Sequence, residues 1–483
     1  RISIDGSTEN WMQEDTPARF RAYGWHVIQG IDGHNPDAIH EALLQAQVVE
    51  DKPVLLCFKT KIGLDTDWEN DCRSHGQPLG AERVKSLKLM WGVDNVPFSI
   101  PDKARAGWHV RPPKQSFLDW EKNLQVYQSR YANNWHQYQA MQYPNQATVD
   151  HVLIEAFSQL DTDKPIATRK ASELCLSVLM DLNLGMIGGS ADLTGSTGLV
   201  KRDQDVWHPK ERPGSFIHFG VREFSMFAVA NGLASIPGLR PYVSTFLVFS
   251  DYGVNAVRMA AMMRLPVVFI FTHDSIMVGE DGPTHQPIEH LDHLRAIPGL
   301  SVWRPANTFE TFGAWREIIG DTSGPHCLVL TRQSVLQDKR KNLTFPEVAS
   351  GGYKVYVPSV EPKGVILSTG SEVSLAIELA SVLEKEGLPL QVVSVACALR
   401  FDQMDAEEKQ KLLLNSRTFR YAIEASSGMY WHRYIQDPHA VFHINRFGAS
   451  GSGKALYERY GFSVSHLREH VYRCYARYEK CWI

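Results

Sequence analysis

The sequence predicts an α/β protein made of three consecutive units with mainly parallel sheets. Three observations carry this. Strand-like and helix-like segments alternate along most of the chain, as βαβ units do. The segments PVLLCFKT, PVVFIFTHDS and GVILSTG open with continuous apolar runs, PVLLCF, PVVFIF and GVIL, and read as buried strands. The polar residues Asp192, His273 and Arg332 each fall just after such a run. In open parallel sheets ligands bind beyond the carboxyl ends of the strands, so these three residues sketch the rim of one pocket.

At 483 residues the chain is too long for a single core, and two or three domains are expected. The net charge is −4 and the basic residues form no long run, which argues for a small-molecule protein and against a nucleic-acid partner. No stretch of eighteen uninterrupted apolar residues offers a membrane span, and the opening ISI run carries no leader pattern. Seven scattered cysteines, without paired spacing, read as reduced thiols in a cytoplasmic protein. The first residue is Arg, so a fragment, or a processed or split product, is expected.

The first unit, 1–110, runs from ISIDG through the helix-like Pro17–Tyr23, the strand-like WHVIQ, a helix over Pro36–Val49 and the strand PVLLCFKT. It ends in a loop, RSHGQPLG, where His75 reads either as a plain loop residue or as a ligand contact. A proline-flanked, polar and aromatic helix pattern follows, and residues 111–160 form a linker arm. The second unit, 161–340, holds the amphipathic ATRKASELCLSVLMDL, the strand and Gly-rich loop NLGMIGGSADLTGST, the helix after Glu223, the strand-like PYVSTFLVFSDY, PVVFIFTHDS and, as its last strand, HCLVLTR. The third, 341–483, holds GVILSTG, LQVVSVA, AVFHINRF and a helix that ends at Gly387.

Glu223 opens an apolar helix that the pattern stops at Gly232. It reads either as an N-terminal acid favoured by the helix dipole or as a buried carboxyl that some partner uses. GEDGPTHQP places Asp281 and His285 four residues apart, as a solvated turn would, and two such groups without a third do not make a metal site. GASGSGKA, 448–455, fits a P-loop between a strand and a helix, but Ala455 stands where the metal-binding hydroxyl belongs.

Taken together, ISIDG, RFRAYGWHV, SHGQPLG, RKAS, GGSADL, GVREFSM, YVSTFLVF, THDS, GEDGPTHQP, TGSEV and FGASG, in this order, resemble the transketolase family over essentially the whole chain. The resemblance implies the thiamine-diphosphate-binding fold followed by the transketolase C-terminal domain. It implies transfer of a glycolaldehyde unit from a ketose phosphate to an aldose phosphate, through a carbanion on thiamine diphosphate, in the pentose phosphate pathway. The first unit would then be the carboxyl-terminal remnant of the diphosphate-binding domain, and the second the pyrimidine-binding domain.

By the same resemblance Glu223 of the REF motif meets the pyrimidine nitrogen, with burial against Phe224 and Phe227 favouring proton sharing with the ring. Phe246, Phe249 and Tyr252 wall the pyrimidine. Asp192 lies close to the cofactor, and His75 reaches both cofactor and substrate. Arg169, Ser196, His273 and Arg332 meet the sugar phosphate, and Asp281 and His285 read its hydroxyls. Glu223, His75 and His285 are the expected catalytic residues. A homodimer is implied, as is a Mg2+ or Ca2+ ion held by a Gly-Asp-Gly motif and a later Asn. Neither of these is in the sequence, which leaves only the backbone carbonyl of Ile2, so the 483 residues alone are expected to be inactive.

Three departures stand near the site: the acidic loop LDTDWENDC, Gly195 and Met277, the last expected to narrow the pocket. The alternatives are a dihydroxyacetone synthase-like ketol transferase and a non-catalytic or split carboxyl-terminal subunit.

Overall fold

The computed structural model describes residues 2–108, 114–199, 206–208, 214–337 and 344–482, without the side chains of Cys481 and Trp482. The expected boundaries at 110/111 and 340/341 and the Cys481 thiol lie outside the described residues. The chain divides into two compact units, Arg1–Asn123 and Leu124–Ile483.

In the amino-terminal unit, β1 (Ile2–Ser3) and β2 (Gly6–Ser7) form a short antiparallel hairpin, and β3 (His26–Asp32) pairs in parallel with β4 (Val54–Lys59). Between them the helix Pro36–Gln47 starts on Asn35, whose side chain accepts from the N–H groups of Asp37 and Ala38. The acidic loop after β4 wraps Trp68, which is buried, with the guanidinium groups of Arg83 and Arg73 4.0 and 4.9 Å from its ring centre. Thr66 and Ser74 fold that loop by donating to the carbonyls of Gly63 and Trp68.

The larger unit carries two sheets. The first is wholly parallel, with β5 (Met186–Ser190), β6 (Phe216–His218), β7 (Arg240–Phe246), β8 (Val268–Thr272), β9 (Ser301–Trp303) and β10 (His326–Leu330) in the order β6-β5-β7-β8-β10-β9. The second has β11 (Tyr353–Tyr356), β12 (Gly364–Ser368), β13 (Leu390–Ser394), β14 (Phe419–Ile423) and β15 (Val441–Phe442) in the order β11-β13-β12-β14-β15, with only β11 antiparallel. The α/β class with mainly parallel sheets is thus as the sequence predicts.

Several elements differ from expectation for physical reasons. The helix Glu223–Ala234 runs through Gly232, because its packed face, Met226, Phe227, Ala230 and Ala234, outweighs one glycine. PYVSTFLVFSDY is a strand only to Phe246, and Leu247–Tyr252 turns as a 3-10 helix. β9, β11 and β14 escaped the reading, since each is short or mixed in polarity. AVFHINRF keeps only two strand residues. GASGSGKA leads into a seven-residue helix, Gly453–Arg459. Its glycines serve packing: a Cβ on Gly453 would come within 2.6 Å of the Met277 carbonyl and sulfur. Met277 therefore packs on this turn. Gln286 closes the contact, donating to Gly279 and Ala449.

A buried ion network joins the two sheets. Arg304, after β9, donates to Asp274 after β8 and to Glu372 at the helix start after β12, and Glu424 after β14 lies 3.6 Å away. Arg295 donates to both oxygens of Glu424, and Tyr457 donates to Glu372. Burial alone would lower the Arg304 pKa, but the carboxylates of Glu372, Asp274 and Glu424 hold it well above its ordinary value.

Candidate active site

The carboxyl ends of β5, β7, β8 and β10 lie side by side, and register fixes what they present. Phe246 of β7 and Leu330 of β10 both stand opposite Thr272 of β8. The next residue after β8, His273, therefore emerges beside Phe246, and the two rings stack with centres 3.7 Å apart. His273 sits at a φ of 63°, a conformation uncommon for a side-chain-bearing residue, with its Nδ1 2.8 Å from the Thr272 hydroxyl. The turn after Phe246 swings Phe249 back, so that the two phenyl rings lie 5.7 Å apart and nearly parallel. The His285 ring meets the edge of both, 5.3 Å from Phe249 and 6.3 Å from Phe246. Tyr252 continues the row, 5.9 Å from Phe249, but is mostly exposed.

The cationic side is built from two directions. Arg169 lies in the first turn of the helix Thr168–Met180 and donates to the Ser196 carbonyl in the short helix Thr194–Thr197 after β5. Among the described residues its Nε is buried without a hydrogen-bond partner. Burial, and then the charge of Arg332, lower the Arg169 pKa, so the two guanidinium groups share one locality. His273 belongs to it as well: burial, then Arg169, Arg332 and His285, push its pKa down to about 3. A neutral imidazole beside two fixed cations, one with an idle donor, suits a multiply charged anion.

Glu223 begins its helix almost fully buried. Among the described residues its carboxyl has one hydrogen bond, a long 3.4 Å contact from the Thr245 hydroxyl, the residue before Phe246. A buried acid so poorly partnered is costly unless a ligand completes it. Phe227 packs beneath it in the core, against Phe269 and Phe271. Phe224, expected to help bury the carboxyl, is 52% exposed and does not, because the helix turns that position to the surface. The set fits a thiamine pyrimidine: a buried carboxyl for a ring nitrogen and a flat aromatic wall for its face.

Arg169, Ser196, His273, Arg332, Phe246, Phe249, His285 and Glu223 thus gather at one end of the sheet. Asp192, at a φ of 63°, and Asp281 are exposed in the loops after β5 and β8. His75 and Ile2 belong to the amino-terminal unit. His75 is exposed in the short helix Arg73–Gly76, and Ile2 pairs with Ser7; a Cβ on Gly76 would touch Ile4, so the two segments are neighbours.

A single carbonyl at Ile2 cannot replace the six or more oxygens that Mg2+ or Ca2+ takes. Elsewhere Asp251, Glu289 and His290 bring ligand atoms within 4.8 Å of one another, a set compatible with a divalent cation. Among the described residues no helix is long and apolar enough to cross a membrane.

Sequence reasoning missed the hydroxyls that hold these groups. Thr168, Thr272 and Thr331 each directly precede a site residue, and each bonds within the site's framework. A threonine immediately before a strand-end charge was the available signal.

Comparison with known proteins agrees with this geometry. Residues 1–145 match the family described as the transketolase thiamine diphosphate binding domain, 164–337 the transketolase pyrimidine binding domain, and 351–463 the transketolase-like C-terminal domain. The plasmid transketolase of Cupriavidus necator is 39% identical over 96% of this chain and 70% of its own length. Transketolase 1 of Escherichia coli is 37% identical over 96% and 71%. A Pichia stipitis transketolase solved with sedoheptulose-7-phosphate superposes with a TM-score of 0.90 at 35% identity, covering 99% of this chain and 71% of that one. A structure described as a split gene transketolase, inactive beta4 tetramer, aligns at 25% identity and a TM-score of 0.52, over 64% of this chain and 98% of its own. Motifs, fold and site geometry agree: the chain belongs to the transketolase family, enzymes that use thiamine diphosphate.

Proposed function

We propose that in this member of the transketolase family, which moves a two-carbon glycolaldehyde unit from a ketose phosphate to an aldose phosphate, the site residues divide the work as follows. Glu223 holds a proton at the pyrimidine nitrogen, while Phe246 and Phe249, with Tyr252 at the rim, pack against the ring and exclude water. When bound, the cofactor supplies the nucleophilic carbon that the protein lacks. Arg169, Arg332, His273 and Ser196 bind the sugar phosphate, Asp281 and His285 read its hydroxyls, and His285 moves a proton at the reacting end. Asp192 stands beside the cofactor, and His75 serves both cofactor and substrate. The observation that carries this reading is the Phe246–His273 stack at the carboxyl ends of the strands, together with the Thr168–Thr331 hydrogen bonds that bring the segments carrying Arg169 and Arg332 together.

The finer assignments belong to the same proposal: residues 1–110 as part of the diphosphate-binding domain, 111–160 as an arm, 161–340 as the pyrimidine-binding domain and 341–483 as the C-terminal domain; a homodimer; a cytoplasmic protein; and Mg2+ or Ca2+ as the companion ion. The chain spans about 70% of the length of the relatives it matches and contains no Gly-Asp-Gly motif. The purified 483-residue chain, given thiamine diphosphate and Mg2+, is accordingly expected to show no turnover. The split-gene protein described as inactive is a precedent. Measurable transfer by this chain would refute the expectation.

The pyrimidine assignment is tested by titrating the chain with thiamine diphosphate in a calorimeter. Glu223→Gln and Phe246→Ala should each weaken binding, and affinities equal to the unsubstituted chain would remove both residues from the cofactor site. In a form carrying the metal-anchoring segment, Asp281→Ala should relax discrimination between sugars without loss of cofactor. Comparing ribose 5-phosphate with formaldehyde as acceptor separates this reading from a dihydroxyacetone synthase-like one.

A further inference from the structure

The two arginines of the site lie 163 residues apart in sequence, and each is preceded by a threonine. Those threonines bond each other. The Thr168 N–H donates to the Thr331 hydroxyl oxygen at 3.0 Å, and the Thr331 N–H donates to the Thr168 hydroxyl oxygen at 2.8 Å. The hydroxyls themselves are 3.2 Å apart, and the Thr331 hydroxyl donates to the Gln333 carbonyl at 2.8 Å. Both residues are essentially without solvent exposure. Two residues before Thr168 and four after Thr331, Ile166 and Val335 exchange a pair of backbone hydrogen bonds, at 3.2 and 3.1 Å. The start of the helix Thr168–Met180 is thereby zipped to the chain leaving β10.

This arrangement answers two physical needs at once. The first N–H groups of a helix have no partner within it, and Ala167 at the cap position offers no side-chain acceptor, so the Thr331 hydroxyl serves one of them. Arg169 and Arg332 also repel each other, and that repulsion would drive apart two segments held only by side-chain packing. A crosslink made of buried backbone donors resists it, because breaking either bond leaves a buried N–H unsatisfied.

We infer that the reciprocal Thr168–Thr331 pair is a positioning device that sets the spacing of Arg169 and Arg332 for the phosphate of the sugar substrate. It acts through the arginines and touches no substrate. The inference rests on the reading of these arginines as the phosphate site, so the test has an arm for each.

The experiment is calorimetric titration of the 483-residue chain with fructose 6-phosphate and, separately, with fructose. The unsubstituted chain is expected to prefer the phosphorylated sugar, and Arg332→Ala to abolish that preference. Absence of the preference, or its survival in Arg332→Ala, overturns the phosphate-site reading itself. Thr331→Val, which keeps shape and removes the hydroxyl, should weaken fructose 6-phosphate by about tenfold, the worth of one mispaired buried donor, and leave fructose unchanged. Thr331→Ser should restore the preference. Thr168→Val, which removes the other half of the exchange, provides the same reading if Thr331→Val does not fold. If Arg332→Ala loses the preference while either Thr→Val chain binds fructose 6-phosphate as the unsubstituted chain does, the positioning role is refuted.

Discussion

Two apolar strands of similar sequence end in different surroundings. In β12 of the larger unit, Val365, Ile366 and Leu367 are fully buried. In β4 of the amino-terminal unit, Val54, Leu55, Leu56 and Cys57 are only half-buried, and Phe58 is 41% exposed. The difference lies in the neighbours. β12 has a strand on each side and a helix, Glu372–Lys385, packed on it, whereas among the described residues β4 pairs with β3 alone, and the helices Thr16–Ala22 and Pro36–Gln47 that touch it leave it half-buried. A parallel strand is buried only when other strands and helices cover it. Among the described residues Ile31, Ala42 and Trp68 are the buried apolar side chains of the amino-terminal unit, while the larger unit holds three packed clusters. The candidate residues gathered at the end of the first large sheet sit on the unit with the packed clusters, whereas His75 and Ile2 sit on the other.

The sharpest way to break this comparison is native-state hydrogen exchange. Amides of β3 and β4 should exchange orders of magnitude faster than those of β7, β8 and β12, because local opening costs less where little apolar surface is buried. Equal protection in both units would contradict the comparison. Next in size is Arg304→Met, which strands the buried Asp274 and Glu372 carboxylates and should destabilise the larger unit by about 3–5 kcal/mol in denaturant unfolding. The amino-terminal unit's exchange should not change with it. Leu367→Ala should cost about 2–5 kcal/mol, whereas the half-exposed Leu44 cut to Ala should cost well under that. If the two losses match, the burial contrast fails.

The sequence made the class and most residues of the candidate site at the end of the first large sheet legible, and the reasons are local. Polar strand-end residues such as His273 and Arg332 follow apolar runs, and that juxtaposition survives folding. What stayed hidden depended on partners distant in sequence. The Thr168–Thr331 exchange and the Arg304 network each need the fold before the partners meet. Phe224 and Phe227 looked alike as residues that bury Glu223, and only the helix's rotation separates the exposed ring from the buried one. The 3-10 turn over Leu247–Tyr252, which brings Phe249 back beside Phe246, was masked by a continuous apolar pattern. β4 shows the converse: its composition reads as a fully buried strand, but burial is a property of neighbours as well as of sequence.

A smaller effect is expected from His273 on titration. Its ordinary pKa is 6.5, and burial with the nearby arginines pushes it to about 3 in the folded chain. Below pH 6.5 the unfolded chain takes up a proton that folded His273 refuses. The stability that this group contributes is therefore intact above pH 6.5 and is lost progressively as pH falls towards 3. His273→Gln should flatten the fall in melting temperature over that window, and an unchanged slope would show that the imidazole is not held neutral.

The central claim is that the larger unit presents a formed anion cradle from Arg169, His273 and Arg332. The most direct measurement is hydrogen exchange of the 483-residue chain with and without fructose 6-phosphate. The account predicts added protection at Thr168–Arg169, at His273 and at Thr331–Arg332, lost in Arg332→Ala. Unchanged exchange at all three segments under saturating sugar phosphate would contradict it.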